Sequence, residues 1–221
     1  MIREFLVTED GSHTLYLPEI DEHYHSIHGA IQESQHIYIG QGLEQCNKNE
    51  LTILEIGFGT GLNAYLTFCH THLKKSVNYY SIEKYPLLSS EYSKLNYSEL
   101  SFPENRDIFE QLHQSEWNKK ICISEDFNLC KLEVDLLNYD INILPKADLI
   151  YYDAFAPVKQ PEMWTDEILE KIASVLKPEG IFVTYCAKGT VRRALTQAGL
   201  TMERIPGPTG KKEILRGKKS T

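Results

Sequence analysis

No run of 18 apolar residues occurs in these 221 residues, which excludes a membrane-spanning helix. There is no signal-peptide core behind the first residues, no internal repeat, no low-complexity block and no Pro/Gly-rich linker long enough to separate a pair of domains. Cys-x-x-Cys pairs are missing too. The five cysteines (Cys46, Cys69, Cys122, Cys130, Cys186) are odd in number and scattered, so reduced thiols of a cytoplasmic protein are expected rather than a disulfide framework. What remains is an ordinary globular composition, 42% hydrophobic and 24% charged, suited to one α/β domain over 1–221. Within it, residues 1–45 are expected as an N-terminal β extension and 46–221 as the core.

Net positive charge is also lacking: the balance is −8, which by itself argues against a polyanionic partner. Its distribution argues otherwise. From Lys188 onward nine Lys/Arg face only Glu203 and Glu213, so this end carries +7 while residues 1–187 carry −15. Binding follows local potential, and the stretch from Arg192 to Lys212 is a candidate phosphate-contacting surface, with a solvated tail as the plainer reading of Lys218 and Lys219.

Residues 13–17 and 36–39 show β-type alternation, punctuated by Gly29 and Gly40. Beyond about residue 50, strands and helices alternate. Strands are expected at 51–56, 77–82, 131–134, 148–152 and 181–185, and helices at 62–73, 87–95, 168–176 and 191–198. Lys177-Pro178-Glu179-Gly180 reads as a helix stop, and 200–205 with 213–216 as a closing hairpin. Repeated strand–helix–strand units predict a doubly wound, mostly parallel sheet.

The most informative run is Glu55-Ile56-Gly57-Phe58-Gly59-Thr60-Gly61-Leu62-Asn63. Gly57 and Gly59 let a ligand approach the main chain, and Gly61 opens a helix whose unpaired N–H groups favour an anion such as a carboxylate. A dinucleotide fingerprint would need glycine where Leu62 stands. Glu-x-Gly-x-Gly-x-Gly is instead the arrangement typical of S-adenosylmethionine enzymes, which makes Glu55, Phe58, Thr60 and Asn63 candidate cofactor residues alongside the glycines. A tight turn with nothing bound is the bland alternative. Glu83, about 20 residues on at a strand end and followed by Lys84, can accept both ribose hydroxyl protons, or merely pair with Lys84. Asp135, ending the next strand, can accept from an adenine amino group. Asp153 ends a fourth strand, in Asp153-Ala154-Phe155-Ala156-Pro157. Beside a sulfonium and the Phe155 ring it could hold an amine and take its proton, with Pro157 stiffening the turn; an Asp that only caps the turn is the competing reading.

These runs together are specific. Glu55 to Asn63, Ile82-Glu83-Lys84-Tyr85-Pro86-Leu87, and Asp153-Ala154-Phe155-Ala156-Pro157-Val158-Lys159-Gln160-Pro161-Glu162-Met163-Trp164 resemble the methyltransferase half of the bacterial bifunctional tRNA 5-methylaminomethyl-2-thiouridine biosynthesis family. So do Arg192-Arg193-x-Leu195-x-x-Ala198-Gly199 and Gly210-Lys211-Lys212-Glu213-Ile214-Leu215-x-Gly217, in the same order and over nearly the whole chain. The resemblance implies a class I, Rossmann-like methyltransferase with a seven-stranded sheet. It implies methyl transfer from S-adenosylmethionine to the primary amine of 5-aminomethyl-2-thiouridine at the tRNA wobble position. Asp153 is then the catalytic candidate, and Pro157, Lys159, Met163, Trp164, Arg192, Arg193, Lys211 and Lys212 are candidates for the substrate side. The bifunctional relatives carry a flavin-dependent oxidase half; this sequence stops soon after the methyltransferase pattern, so a stand-alone methyltransferase is expected, its aminomethyl substrate made by another route. Pro208 and Gly210 stand where the family commonly has an aromatic and a basic residue. His23-x-His25-x-x-His28 has metal-ligand spacing, but no Cys or carboxylate pattern completes a site, so local hydrogen bonding is expected there and no metal. Two other classes stay open: a methyltransferase of a small-molecule amine, and a non-catalytic RNA-binding module that keeps the cofactor pocket.

Overall fold

Alternating burial along the strand after residue 50 sets the architecture. In β4 (Glu50–Ile56) Leu51 and Ile53 enter one apolar core while Leu54 and Ile56 enter another, so both faces of the sheet are covered. The structure is a computed structural model that describes residues 2–72, 74–100 and 105–220. Three short strands come first, β1 (Glu4–Val7), β2 (His13–Leu17) and β3 (Glu22–His23), in a small antiparallel sheet of their own. Helix α1 (Ala30–Ser34) follows and runs directly into a π-helix, Gln35–Gly40.

The expected strand at 36–39 is therefore helical. Ile37, Tyr38 and Ile39 are all buried, and so short an apolar run does not distinguish a strand from a buried helix. The β extension is thus a β sheet followed by a helical segment.

After β4 come α2 (Leu62–Thr71), β5 (Ser76–Glu83), α3 (Ser89–Tyr92), α4 (Tyr97–Leu100) and α5 (Arg106–Gln114). Residue 73, the expected end of α2, lies outside the described residues. Then follow β6 (Lys120–Ser124), β7 (Phe127–Glu133), β8 (Ala147–Tyr152), α6 (Asp166–Ser174), β9 (Leu176–Thr184), α7 (Gly189–Gln197), β10 (Leu200–Pro206) and β11 (Glu213–Lys219). Their sheet has the order β10-β11-β9-β8-β4-β5-β7-β6. The pairs β9–β8, β8–β4, β4–β5 and β5–β7 are parallel; the hairpin β10–β11 and its partner β9 are antiparallel, as that hairpin requires.

Eight strands stand where seven were expected. The addition is β6, an antiparallel edge strand hairpinned onto β7. Lys177 to Gly180 does not stop a helix either: α6 has already ended, and these residues open β9 in an irregular stretch where the register against β8 shifts. Order reverses at β4, with β5 on one side and β8 on the other, and the crevice at the carboxyl ends of these strands is where such sheets bind ligands. Among the described residues no helix is long and apolar enough to cross a membrane.

Candidate active site

The crevice encloses about 390 Å³, within the range of small-molecule sites. Its centre is the turn from β4 into α2. Gly57, Gly59 and Gly61 all have positive φ, at 92°, 49° and 72°, and at Gly57 a Cβ would come within 2.7 Å of the Asp153 carbonyl oxygen. Gly61 is the N-cap of α2, so the N–H groups of its first turn have no intrahelical partners, and Leu62 and Asn63 of that turn line the crevice. Gly57, Phe58, Gly59, Thr60 and Asn63 all line the cavity.

Glu83, the last residue of β5, is aimed by two amides: Gly59 N–H donates to Oε2 at 2.9 Å and Tyr85 N–H to Oε1 at 2.8 Å. Lone pairs remain on both oxygens for a diol. Asp135 lies two residues past the end of β7. Lys84 donates to its Oδ2 at 2.9 Å and Leu137 N–H to its Oδ1 at 3.0 Å, and these bonds, the Lys84 one foremost, hold the carboxyl below its ordinary value. Glu83, Lys84 and Asp135 line one end of the cavity together.

Asp153 follows β8 directly. Asn63 Nδ2 donates to its Oδ2 at 2.9 Å, and the Tyr38 hydroxyl reaches toward it from the π-helix. Burial pushes this carboxyl up to about 7; Glu33 raises it further, while Tyr38, Asn63 and the Lys211 ammonium pull the other way. The other Asn63 atom, Oδ1, is buried with no hydrogen-bond partner and has no surface open to the cavity.

Glu55 does not reach the cavity. It is fully buried on the same side of β4 as Leu51 and Ile53, accepts from Ser81 Oγ at 2.7 Å, and is pushed up to about 8 by burial. At neutral pH it is largely the uncharged acid, beneath Asn63 rather than beside a ligand.

On the substrate side Met163 and Lys211 line the cavity, as does Phe155. Trp164 acts one step removed: its Nε1–H donates to the Phe155 carbonyl at 2.7 Å and fixes the loop after Asp153. Lys159 pairs with Asp21 at 3.1 Å, and Pro157 also lies outside the cavity lining. Lys211 is 3.2 Å from Glu33 and sits over the Tyr185 ring, so it faces inward. Arg192 and Arg193 are exposed on α7, and Lys212 is exposed beside Lys211. Much of the remaining basic end is paired internally, Arg204 with Glu213, Arg216 with Glu203 and Lys218 with Glu179.

Sequence reasoning missed one wall entirely. Tyr24, His25, Glu33 and Tyr185 line the cavity from segments far away in the chain. Tyr24 lies against Gly59 and, edge-on, against Phe155 at 5.1 Å; Arg3 Nε holds its hydroxyl at 2.9 Å. Of these the sequence singled out only His25, and as part of a possible metal spacing rather than of a ligand wall.

Comparison with known proteins places this geometry. A family model described as S-adenosyl-L-methionine-dependent methyltransferase matches residues 103–220. The tRNA 5-methylaminomethyl-2-thiouridine biosynthesis bifunctional protein MnmC of Leptospira borgpetersenii is 35% identical over 217 residues, 90% of this chain and 32% of that protein. Its namesake from Cupriavidus metallidurans is 29% identical over 226 residues, 96% of this chain and 33% of that protein. The chain thus spans about a third of the length of the curated relatives it matches. Among solved structures, MNMC2 from Aquifex aeolicus superposes with a TM-score of 0.81 at 28% identity, over 100% of this chain and 71% of that one. The sugar N-methyltransferase KedS8 from Streptoalloteichus, at TM-score 0.51 and 9% identity, shares the fold, covering 86% of this chain and 87% of its own.

Proposed function

Because the chain belongs to the S-adenosyl-L-methionine-dependent methyltransferase family, we propose that it N-methylates the primary amine of 5-aminomethyl-2-thiouridine at the tRNA wobble position. The observation that carries this reading is Asp153: a carboxyl tuned to about 7, facing a cavity beside an anion-favouring glycine turn, is matched to taking a proton from an amine near neutrality. The relatives' names point to the substrate, and the Aquifex structure supports the likeness of fold by its overlap along the whole chain.

Bound S-adenosylmethionine would supply a methyl group on a positively charged sulfur, the S–C bond breaking as the methyl leaves and a neutral thioether remaining. In our reading the α2 amides and Gly57 to Gly61 hold its carboxylate. Glu83 takes the ribose hydroxyls and Asp135, steadied by Lys84, the adenine. Asp153 accepts a hydrogen bond from the incoming amine, aligns its lone pair and takes the proton released as the new N–C bond forms. Phe155, set by Trp164, and Met163 shape the nucleoside side and exclude water, while Arg192, Arg193 and Lys212 meet phosphates. Lys159, tied to Asp21, steadies the Phe155–Met163 loop against the N-terminal sheet.

The test is transfer of labelled methyl from S-adenosylmethionine to tRNA bearing 5-aminomethyl-2-thiouridine. That RNA is expected to be labelled and an unmodified transcript is not, since it lacks the nucleophile; equal labelling of both removes the substrate assignment. A polyamine or other small amine taken in preference, with affinity indifferent to salt, points instead to a small-molecule enzyme, because phosphate contacts make affinity fall steeply with salt. Protein that binds both partners yet transfers nothing is the non-catalytic module.

A pH profile checks the base. Asp153 is inactive when protonated, so kcat/KM for the amine, measured with S-adenosylmethionine well below saturation, is expected to fall as pH drops through about 7. The limb in kcat lies lower, because the nearby sulfonium favours the ionised carboxylate. A kcat/KM profile with no limb between pH 6 and 8 contradicts the role.

A further inference from the structure

Thr60 is 1% exposed and sits between two glycines of positive φ, so the turn has little stiffness of its own at this point. Two rings from outside the turn take hold of it. His113, near the end of α5, has Nε2 at 3.0 Å from the Thr60 carbonyl oxygen. His25, just past β3, has Nε2 at 2.6 Å from the Thr60 hydroxyl.

We infer that His25 and His113 are positioning residues that clamp Thr60 from two sides and thereby fix where α2 begins, setting the amides that receive the cofactor. This rests on the reading that the crevice holds S-adenosylmethionine.

A carbonyl only accepts, so His113 carries its hydrogen on Nε2. The ring cannot turn away: it stacks on Tyr92 at 4.3 Å, meets Phe109 edge-on at 4.8 Å and Phe58 at 5.3 Å. The His113 backbone carbonyl is held in turn by the Lys131 ammonium at 2.6 Å, itself packed over the Phe58 and Trp117 rings. The fit extends to the next residue, since a Cβ on Gly61 would come within 2.7 Å of His113 Nε2. His25 is fixed through its own backbone, its N–H donating to Thr14 Oγ1 at 3.0 Å, and its ring meets Tyr97 edge-on. Burial lowers both imidazoles, His25 to about 4 and His113 to about 3, so neither clamp point becomes charged near neutral pH. The other two histidines of the His-x-His-x-x-His run go elsewhere: His23 packs on Tyr16, and His28 lies 3.0 Å from Glu9.

The clamp explains how two segments outside the core βαβ unit, the N-terminal extension and the insertion between β5 and β6, bear on a turn neither belongs to. The Thr60 carbonyl has no helix or strand partner, and without His113 it would be a buried orphan.

The experiment measures S-adenosylmethionine affinity by calorimetry and KM and kcat by methyl transfer, all on the full chain. His113→Phe and His25→Phe keep the ring and lose the nitrogen; each is expected to raise Kd and KM for S-adenosylmethionine about tenfold while kcat at saturation stays within about twofold. His113→Gln, whose amide reaches the Nε2 position, is expected to recover most of the affinity, and His113→Asn, whose amide falls short, is not. That pair decides the matter even if the Phe variants do not fold. Leu195→Ala, in the α7 core, supplies a comparable loss of Tm and is expected to leave Kd unchanged. Phe variants that bind like wild type, Asn performing as well as Gln, or Leu195→Ala weakening binding equally would each overturn the clamp. Wild-type protein that binds no S-adenosylmethionine overturns the reading of the crevice instead.

Discussion

Asp153→Asn is expected to lower kcat roughly 10²–10⁴-fold, the usual worth of a positioned general base, with the Kd for S-adenosylmethionine nearly unchanged. Asn keeps the volume and the hydrogen bond from Asn63 Nδ2 but cannot take a proton, so the loss falls on turnover rather than on cofactor binding. The same substitution makes a second, opposite statement about stability. The folded carboxyl titrates at about 7, above its ordinary 3.8, so its stabilising contribution is fully present below that ordinary value and is lost as pH rises through about 7. Asn carries no such penalty. At pH 8 the variant is expected to melt above wild type, by about 2–4 °C for each kcal/mol relieved in a chain this size, while at pH 5 the gap is narrower. Turnover close to wild type in this folded variant would take Asp153 out of the chemistry.

Gly57→Ala is expected to abolish measurable S-adenosylmethionine binding, with Kd raised about 100-fold or more, and to lower stability by roughly 2–3 kcal/mol. At φ 92° an L-residue is strained whatever its surroundings, and here the added Cβ meets backbone, the Asp153 carbonyl oxygen at 2.7 Å. Neither partner can yield cheaply: Gly57 N–H is bonded to the Ile82 carbonyl and Asp153 N–H to the Ile56 carbonyl, stitching three adjacent strands together. The shift would displace turn and carboxylate at once. Gly199→Ala is the control, because φ is also positive but a Cβ there meets nothing within 4 Å; it is expected to lose stability and keep its affinity. Undiminished binding by Gly57→Ala would show that the turn does not form the cradle.

The features of this site legible in the sequence were those whose position in the fold follows from local pattern. A parallel strand is a short apolar run, its end faces the crevice, and a glycine or an acid at that end declares itself; Gly57 to Gly61, Glu83 and Asp153 are of this kind. Glu55 shows the limit of a motif. Its place before the glycines suggests a ligand contact, yet its parity with Leu51 and Ile53 turns it into the core, a signal that was present in the alternation. Residues 36–39 show the limit of periodicity, since with Ile37, Tyr38 and Ile39 all buried the alternation is of types only. Tyr24, Glu33 and His113 were out of reach for another reason. They come to the cavity or its supporting turn through long-range packing, and nothing within several residues of any of them marks the destination. For His113 the one trace is an apolar stripe, Phe109 and Leu112, on the same helix face.

The π-helix at Gln35–Gly40 has a bearing on how this segment tolerates change in length. Its wider turn, closed by Gln41 N–H on the His36 carbonyl five residues back, accommodates one residue more than an α-helix would over the same rise. Tyr38 lies inside that widened turn, with its buried hydroxyl on the side of Asp153. Deleting a single residue here would let the helix tighten to the ordinary pitch and swing the phenol about a quarter turn around the axis, away from the carboxylate, with no side chain in the crevice having been altered.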